Sequence, residues 1–334
     1  MLRAPESAEV SAAVRRWLTG QGYGAVTDGA PPERLTGGAD FWVYGLRFAG
    51  PGLPQRWLAA LVARVPAAAG RYDMLRRESA VQSWVAAQGY PAPEVLTVLA
   101  PGEALPWPVQ VMARVPGVPL IAASGRPWGI PELMVQLGVA QAELHRLGSP
   151  PTDAHPGEVP GKWLWLAQRL AESGDAGDLA ASLRKIELVR DRLEVADPVV
   201  CHGDFHPLNV LAAPGGSALH VIDWTNAGVG DRHGDISWTL LWFEIAAFAA
   251  PRPAARVLMR VLRRRLARAY LNGYRRVLPV DRERVRLWRP VSLLVIWSAA
   301  EASQRGFFGS EPRLPAGLIG WAAREFHRVT PATG

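Results

Sequence analysis

Between residues 199 and 237 the chain reads VVCHGDFHPLNVLAAPGGSALHVIDWTNAGVGDRHGDIS. Short apolar runs alternate there with His202, Asp204, His206, Asn209, Asp223, Asp231 and Asp235. Runs this brief, punctuated by Pro and Gly, suit short strands and tight turns. FHPL makes a tight connection from Asp204 to Asn209, NVLAA begins a strand, PGGS turns the chain, and LHVID is a second strand ending on Asp223. Such a hairpin brings Asn209 and Asp223 within reach of one ion while Asp204 stays beside them on the loop. Two oxygen ligands with open positions suit Mg²⁺ bound to phosphate oxygens. A third carboxylate held apart from the metal suits proton abstraction from a hydroxyl.

The rest of the chain must supply a frame for this device. With 334 residues, 49% of them hydrophobic, it can build one large domain or two lobes with real cores. The opening MLRAPESAEVSAAVRRW mixes charges from the start and lacks the apolar core of a secretory signal. The longest apolar run, ISWTLLWFEIAAFAA, is too short to span a membrane and contains Glu244, so it reads as a buried helix. A cytoplasmic protein with no membrane partner is expected. The one cysteine, Cys201, excludes an intramolecular disulfide and a Cys-rich zinc site.

Net charge is +7, and its placement matters more than its size. Residues 251–334 hold 17 arginines against 5 acidic residues, leaving 20 basic against 25 acidic residues in 1–250. Most of the excess lies on PAARVLMRVLRRRLARAYLNGYRRV, where Val257, Leu258, Val261, Leu262 and Leu266 keep an apolar stripe and arginines take the other faces. The bias reads as a solvated helix face, with an anion-binding or nucleic-acid surface as the alternative.

Strand patterns precede helical ones. After a helix near 7–19, PERLTGGADFWVYGLRFAG followed by QRWLAALVARVP reads as a hairpin and a further strand. YDMLRRESAVQSWVAAQGYPAP is a helix with Asp73 as N-cap, Gly89 closing it and Pro91 beyond. PWPVQVMARVPGVPL is an edge-like strand running into a turn, which sets a lobe boundary near residue 116. Helical patterns then occupy 131–147, 160–173, 178–194, 235–249, 254–277, 282–303 and 316–328. The order predicts an α+β fold of two lobes, residues 1–115 β-rich and residues 116–334 mostly helical. On the helix from residue 73, Glu78 falls in the middle of the face formed by Met74, Leu75, Val81 and Val85. A carboxylate there calls for a cation, and Arg64 at the end of the preceding strand is the candidate. The alternative is that Glu78 lies at the stripe's edge and reaches solvent.

The run His202-Gly203-Asp204-Phe205-His206-Pro207-Leu208-Asn209, followed by Val221-Ile222-Asp223-Trp224, resembles the signature of the aminoglycoside phosphotransferase family and its choline-kinase relatives, which share the protein-kinase-like fold. Its spacing matches the kinase loop H-R-D-x-x-x-x-N with a metal-binding Asp downstream. The resemblance implies that Asp204 is the catalytic base or hydroxyl-orienting residue and that Asn209 and Asp223 hold Mg²⁺. It gives His206 a role near the γ-phosphate, and Asp235, with His202, a structural role in bracing the catalytic loop. LTGGADFWVY resembles the family's nucleotide-binding turn, with Gly37 and Gly38 letting backbone approach phosphate. Arg64 and Glu78 would be the cation–carboxylate pair that positions phosphates, with Arg replacing the usual lysine. VQVMARVPG looks like the hinge strand, where backbone near Met112 to Val115 would meet a purine. The implied activity is transfer of the γ-phosphoryl of ATP or GTP, bound between the lobes, to a hydroxyl of a small acceptor. Aminoglycoside, macrolide, other antibiotic, amino sugar and choline-like alcohol remain open as acceptors, and the oligomeric state is not readable.

Two other classes compete. GDFH also opens binuclear metallophosphoesterase sites, with His202, Asp204, His206 and Asp223 as ligands, but that family needs an Asn-His pair and the chain has none. A catalytically inactive kinase-like scaffold is the other; the substitution at Arg64 speaks for it, and retention of base, metal ligands and brace speaks against it. Ser182-x-x-Lys185 lacks the partner motifs of a penicillin-binding nucleophile, and no Walker A sequence is present.

Overall fold

The computed structural model describes residues 3–35, 41–67, 70–103, 105–123, 129–151, 159–172, 177–212, 218–249, 253–305 and 314–330. They form two compact units that divide between Pro116 and Gly117. The first contains α1 (Ser7–Gly20), β1 (Thr27–Asp28), β2 (Glu33–Leu35), β3 (Phe41–Leu46), β4 (Phe48–Ala49), α2 (Gln55–Leu58), β5 (Leu61–Pro66), α3 (Tyr72–Ala87), β6 (Val95–Leu99) and β7 (Val109–Ala113). The second contains β8 (Val118–Pro119), α4 (Ile130–Arg146), α5 (Val159–Glu172), α6 (Gly177–Glu187), α7 (Arg190–Leu193), β9 (Val199–Cys201), β10 (Val210–Ala212), β11 (Leu219–Val221), β12 (Gly228–Gly230), α8 (Arg232–Ala249), α9 (Pro253–Arg275), α10 (Arg282–Gln304) and α11 (Ala316–Val329).

The first unit is built on an antiparallel sheet ordered β2-β3-β5-β7-β6. Strand alternation divides β5 between two environments. Leu61, Ala63 and Val65 join the core that also buries Val10, Val14 and Leu18 of α1. Val62 and Arg64 fall to the other face, where Arg64 stands opposite Gln110 of β7 and bonds α3 through Glu78.

Four local expectations are corrected. Residues 55–58 form a helical turn, not strand: Pro54 starts the turn and Trp57 is buried, so the strand begins only at Leu61. Helix α3 begins at Tyr72 with Arg71 at its cap, which moves Asp73 from the N-cap into the first turn, where a carboxylate still faces the positive helix end. Strand β7 is internal, paired on both sides; Pro106, Pro108 and Pro116 flank it without interrupting its ladder. The helical pattern over 178–194 divides into α6 and α7.

In the second unit the helices pack around one strand pair and one three-stranded sheet. Strand β9 pairs with β12, while β10 pairs with both β11 and β8. Helices α4 and α9 approach closely at glycines: a Cβ on Gly138 would lie 2.0 Å from the Tyr270 carbonyl oxygen, and one on Gly273 2.0 Å from that of Val135. Among the described residues, no helix is long and apolar enough to cross a membrane.

Candidate active site

The loop from His202 to Asn209 leaves β9 through Gly203, whose φ of +77° suits a residue without a Cβ. His202 is buried between Phe205 and Trp224, with ring centroids 5.6 and 4.9 Å away. Its Nε2–H donates to the Ile222 carbonyl at 3.0 Å and its Nδ1 accepts from the Asp204 amide at 3.3 Å, so the ring is neutral. Burial lowers its pKa, in the direction that keeps this form. His202 thereby joins the loop to the end of the β10–β11 hairpin.

Asp204 is about a quarter exposed. Its Oδ1 accepts from Trp238 Nε1 at 2.9 Å and lies 3.4 Å from His206 Nε2; its Oδ2 accepts from Asn209 Nδ2 at 3.2 Å. Burial alone would raise its pKa, but the neighbouring His206 and the indole N–H of Trp238 outweigh it and push the pKa down to about 2. The Leu208 amide donates to His206 Nδ1 at 3.3 Å, and the ring stacks on Trp242 at 5.3 Å and 18°.

Asn209 also donates through Nδ2 to the Asp204 carbonyl at 3.0 Å, which leaves its side-chain oxygen as the acceptor end. The Ile222 amide donates to the Asn209 carbonyl at 2.9 Å, extending the hairpin ladder to within one residue of Asp223. Asp223 has φ +63° and is the one non-glycine residue with positive φ among those described. An Asp tolerates that region better than most side chains, and departures of this kind cluster at functional sites. Thr225 Oγ1 donates to Asp223 Oδ1 at 2.7 Å. The side-chain oxygens of Asn209 and Asp223 are hard donors of the kind Mg²⁺ accepts.

Asp235, in the first turn of α8, is fully buried and accepts from the His202 amide at 3.0 Å, the Gly203 amide at 2.9 Å and His145 Nε2 at 3.1 Å. Burial raises its pKa and the His145 bond lowers it, with a net shift downward. His145 Nδ1 lies 2.7 Å from the Tyr274 hydroxyl, linking α4, α8 and α9 beneath the loop.

Sequence reasoning did not single out the rest of the α8 face. Thr239 Oγ1 donates to the Phe205 carbonyl at 2.8 Å. Asp235, Trp238, Thr239 and Trp242 thus meet 202–203, 204, 205 and 206 in turn, one stripe at helical spacing running along the loop. That spacing, counted forward from Asp235, was the available signal. His145 left none, because its partner lies 90 residues away. Asp231 was noted without a role; it bonds His233, Arg284 and Trp288 and fixes the start of α8 to α10.

In the first unit, Arg64 Nη1 donates to Glu78 and, at 3.1 Å, to Gln110 Oε1, and its guanidinium sits 3.9 Å from the Phe41 ring centroid. Gln110 Nε2 donates to Ser79 Oγ at 2.8 Å. Glu78 is 1% exposed, which excludes the solvent-facing alternative. Met112 lies within β7 and is buried; Val115 follows the strand and is partly exposed. Gly37 and Gly38 lie outside the described residues.

Residues 32–288 match the family described as Phosphotransferase enzyme family. An aminoglycoside 3'-phosphotransferase of Streptomyces fradiae is 32% identical over 203 residues, 58% of this chain and 73% of that protein. A streptomycin 3''-kinase of Streptomyces griseus is 30% identical over 179 residues, 47% of this chain and 61% of that protein. Among solved structures, a thermostable mutant of aminoglycoside phosphotransferase APH(4)-Ia, in ternary complex with ADP and hygromycin B, superposes with a TM-score of 0.56 at 17% identity, covering 95% of this chain and 98% of that one. That likeness identifies the fold as the kinase-like fold of aminoglycoside phosphotransferases. The chain belongs to the phosphotransferase enzyme family and is an enzyme that transfers phosphoryl to an alcohol acceptor.

Proposed function

We propose that this protein is a small-molecule kinase that transfers the γ-phosphoryl of a nucleoside triphosphate to a hydroxyl of an aminoglycoside-like acceptor. The observation that carries this reading is the arrangement on the loop and hairpin. Asp204 is held by hydrogen bonds to both carboxylate oxygens, and Asn209 and Asp223 stand at the hairpin end as oxygen donors. The acceptor class rests on the relatives, whose names specify aminoglycoside and streptomycin. Residues 1–115 would hold the nucleotide through the Gly37-Gly38 turn, the Arg64–Glu78 pair and the Met112–Val115 segment. Residues 116–334 would carry the catalytic loop and receive the acceptor.

A carboxylate whose pKa lies near 2 is a weak base at neutral pH. Asp204 therefore acts mainly by accepting a hydrogen bond from the acceptor hydroxyl and aiming its oxygen, receiving the proton late. That division suits phosphoryl transfer, where the loose transition state asks for positioning and charge neutralisation more than for deprotonation. Asn209 and Asp223 would hold Mg²⁺. When bound, that ion neutralises charge on the phosphate oxygens. His206, stacked on Trp242 and facing Asp204, keeps a polar ring beside the carboxylate.

The test is incubation with ATP or GTP and a panel of aminoglycosides, macrolides, amino sugars and choline, read as a mass gain of one phosphoryl group. Phosphorylation of an aminoglycoside by the wild type, lowered about two to four orders of magnitude in Asp204→Asn, is expected. Full turnover in Asp204→Asn would remove Asp204 from the role. Phosphorylation confined to macrolides or choline would replace the acceptor class.

A further inference from the structure

The four-point contact between α8 and the catalytic loop is not uniform in kind. Asp235 and Thr239 bond backbone groups, and Trp242 stacks on a ring. Trp238 alone among the four meets the carboxylate of Asp204, its indole N–H donating to Oδ1 at 2.9 Å. The indole is only 9% exposed and belongs to a helix whose first turn already anchors the same loop through two backbone amides. The donor is therefore fixed in place before any ligand arrives. We propose that Trp238 is a positioning residue of this enzyme, setting the direction of the Asp204 carboxylate toward the acceptor hydroxyl.

The inference rests on the phosphotransfer reading and adds to it a residue that neither the loop motif nor the hairpin contains. A carboxylate on a short side chain rotates about two bonds, and each oxygen has two lone-pair directions. Asn209 Nδ2 fixes Oδ2 at 3.2 Å, and one anchor still permits the carboxylate plane to turn about it. A second donor on Oδ1, from a different element, fixes the plane. With His206 Nε2 also 3.4 Å from Oδ1, the lone pair remaining on Oδ2 then has a defined direction, which an in-line displacement requires of the incoming hydroxyl. An indole suits this task because it donates one hydrogen bond, accepts none and is held by its own packing. Trp238 acts through Asp204, so its loss affects the chemical step more than binding.

The experiment compares wild type with Trp238→Phe, which keeps most of the ring volume and removes the donor, and Trp238→His, which restores a ring N–H. Rates are read on the acceptor that the screen yields and, in parallel, on transfer from ATP to water. With Trp238→Phe, kcat should fall about ten- to a hundredfold, the scale of a misplaced catalytic group. KM for nucleotide and for acceptor should stay within about twofold, and Trp238→His should recover part of kcat. To separate the donor from packing, the benzothiophene analogue of tryptophan placed at 238 exchanges the N–H for sulfur at nearly constant shape; it should reproduce the Phe defect while melting like the wild type. A kcat for Trp238→Phe or for the analogue within about threefold of wild type would overturn the proposal. So would a defect confined to KM, or one that His leaves wholly unchanged. Absence of any transfer in the wild type would overturn the phosphotransfer reading and this assignment with it, whereas a fully active Trp238→Phe overturns this assignment alone.

Discussion

Replacing Asp235 with alanine tests whether the loop is held from below by one carboxylate. The side chain is fully buried and satisfies two backbone amides, those of His202 and Gly203, together with Nε2 of His145. Alanine leaves these donors without that acceptor in a buried site. Each orphaned buried donor costs about 1–3 kcal/mol, so the two amides alone give roughly 2–6 kcal/mol. A loss of about 2–6 kcal/mol is therefore expected, a large part of the roughly 5–15 kcal/mol that a domain commands. Asparagine is not a rescue: it supplies one oxygen for two amides and turns its own N–H toward the other, so at least half the loss should remain. Urea unfolding at pH 7, followed by fluorescence, reads the change, and kcat of the folded fraction should fall at least tenfold because the segment bearing Asp204 loses its anchor. A midpoint shift equivalent to less than about 1 kcal/mol at unchanged slope would show that the amides find other partners and would refute the argument.

Four further outcomes are expected. Asp223→Ala should abolish the Mg²⁺ dependence of nucleotide binding in calorimetric titrations with and without the ion, since Asn209 offers only a neutral oxygen. Arg64→Ala should weaken nucleotide binding about tenfold and also destabilise the protein by about 3–5 kcal/mol, because it leaves Glu78 as a buried charge without its guanidinium; unchanged affinity in the folded variant would take Arg64 out of the nucleotide site. Gly273→Ala places a methyl 2.0 Å from the Val135 carbonyl oxygen, so overpacking of about 1–3 kcal/mol or more should exceed the roughly 1 kcal/mol gained in helix propensity and lower Tm. For Asp231, burial raises the pKa but the bonds from His233 and Trp288 dominate, and its folded value of about 2 lies below the ordinary 3.8. A depressed folded pKa contributes stability above pH 3.8 that is lost as pH falls toward 2; Asp231→Asn should lower stability at pH 7 by about 2 kcal/mol and flatten that acid loss in urea titrations run from pH 5 to 2.

Spacing along the chain set the local geometry of the candidate site. Asp204 and Asn209 share one loop, where they are hydrogen-bonded at 3.2 Å, and Asp223 follows the β10–β11 hairpin, so separation in sequence sets much of their separation in space. Glu78 was legible for a related reason: a carboxylate centred on an apolar helix face has few ways to be satisfied, and the cation at the end of the preceding strand is one of them. Helix periodicity likewise located most of the helices, because one apolar stripe per helix must be covered whatever covers it. What the sequence did not determine was which face met which. Trp238 and Trp242 read as core aromatics of an apolar helix; only when α8 docks against β9 and its loop does one indole N–H find Asp204 and the other ring find His206. The bond of His145 to Asp235 and those of Asp231 to Arg284 and Trp288 join residues 53 to 90 positions apart. Closing such distances depends on the packing of α4, α8, α9 and α10 as whole helices, through contacts such as the glycine approaches at 138 and 273, and that packing leaves no periodic mark on a single chain.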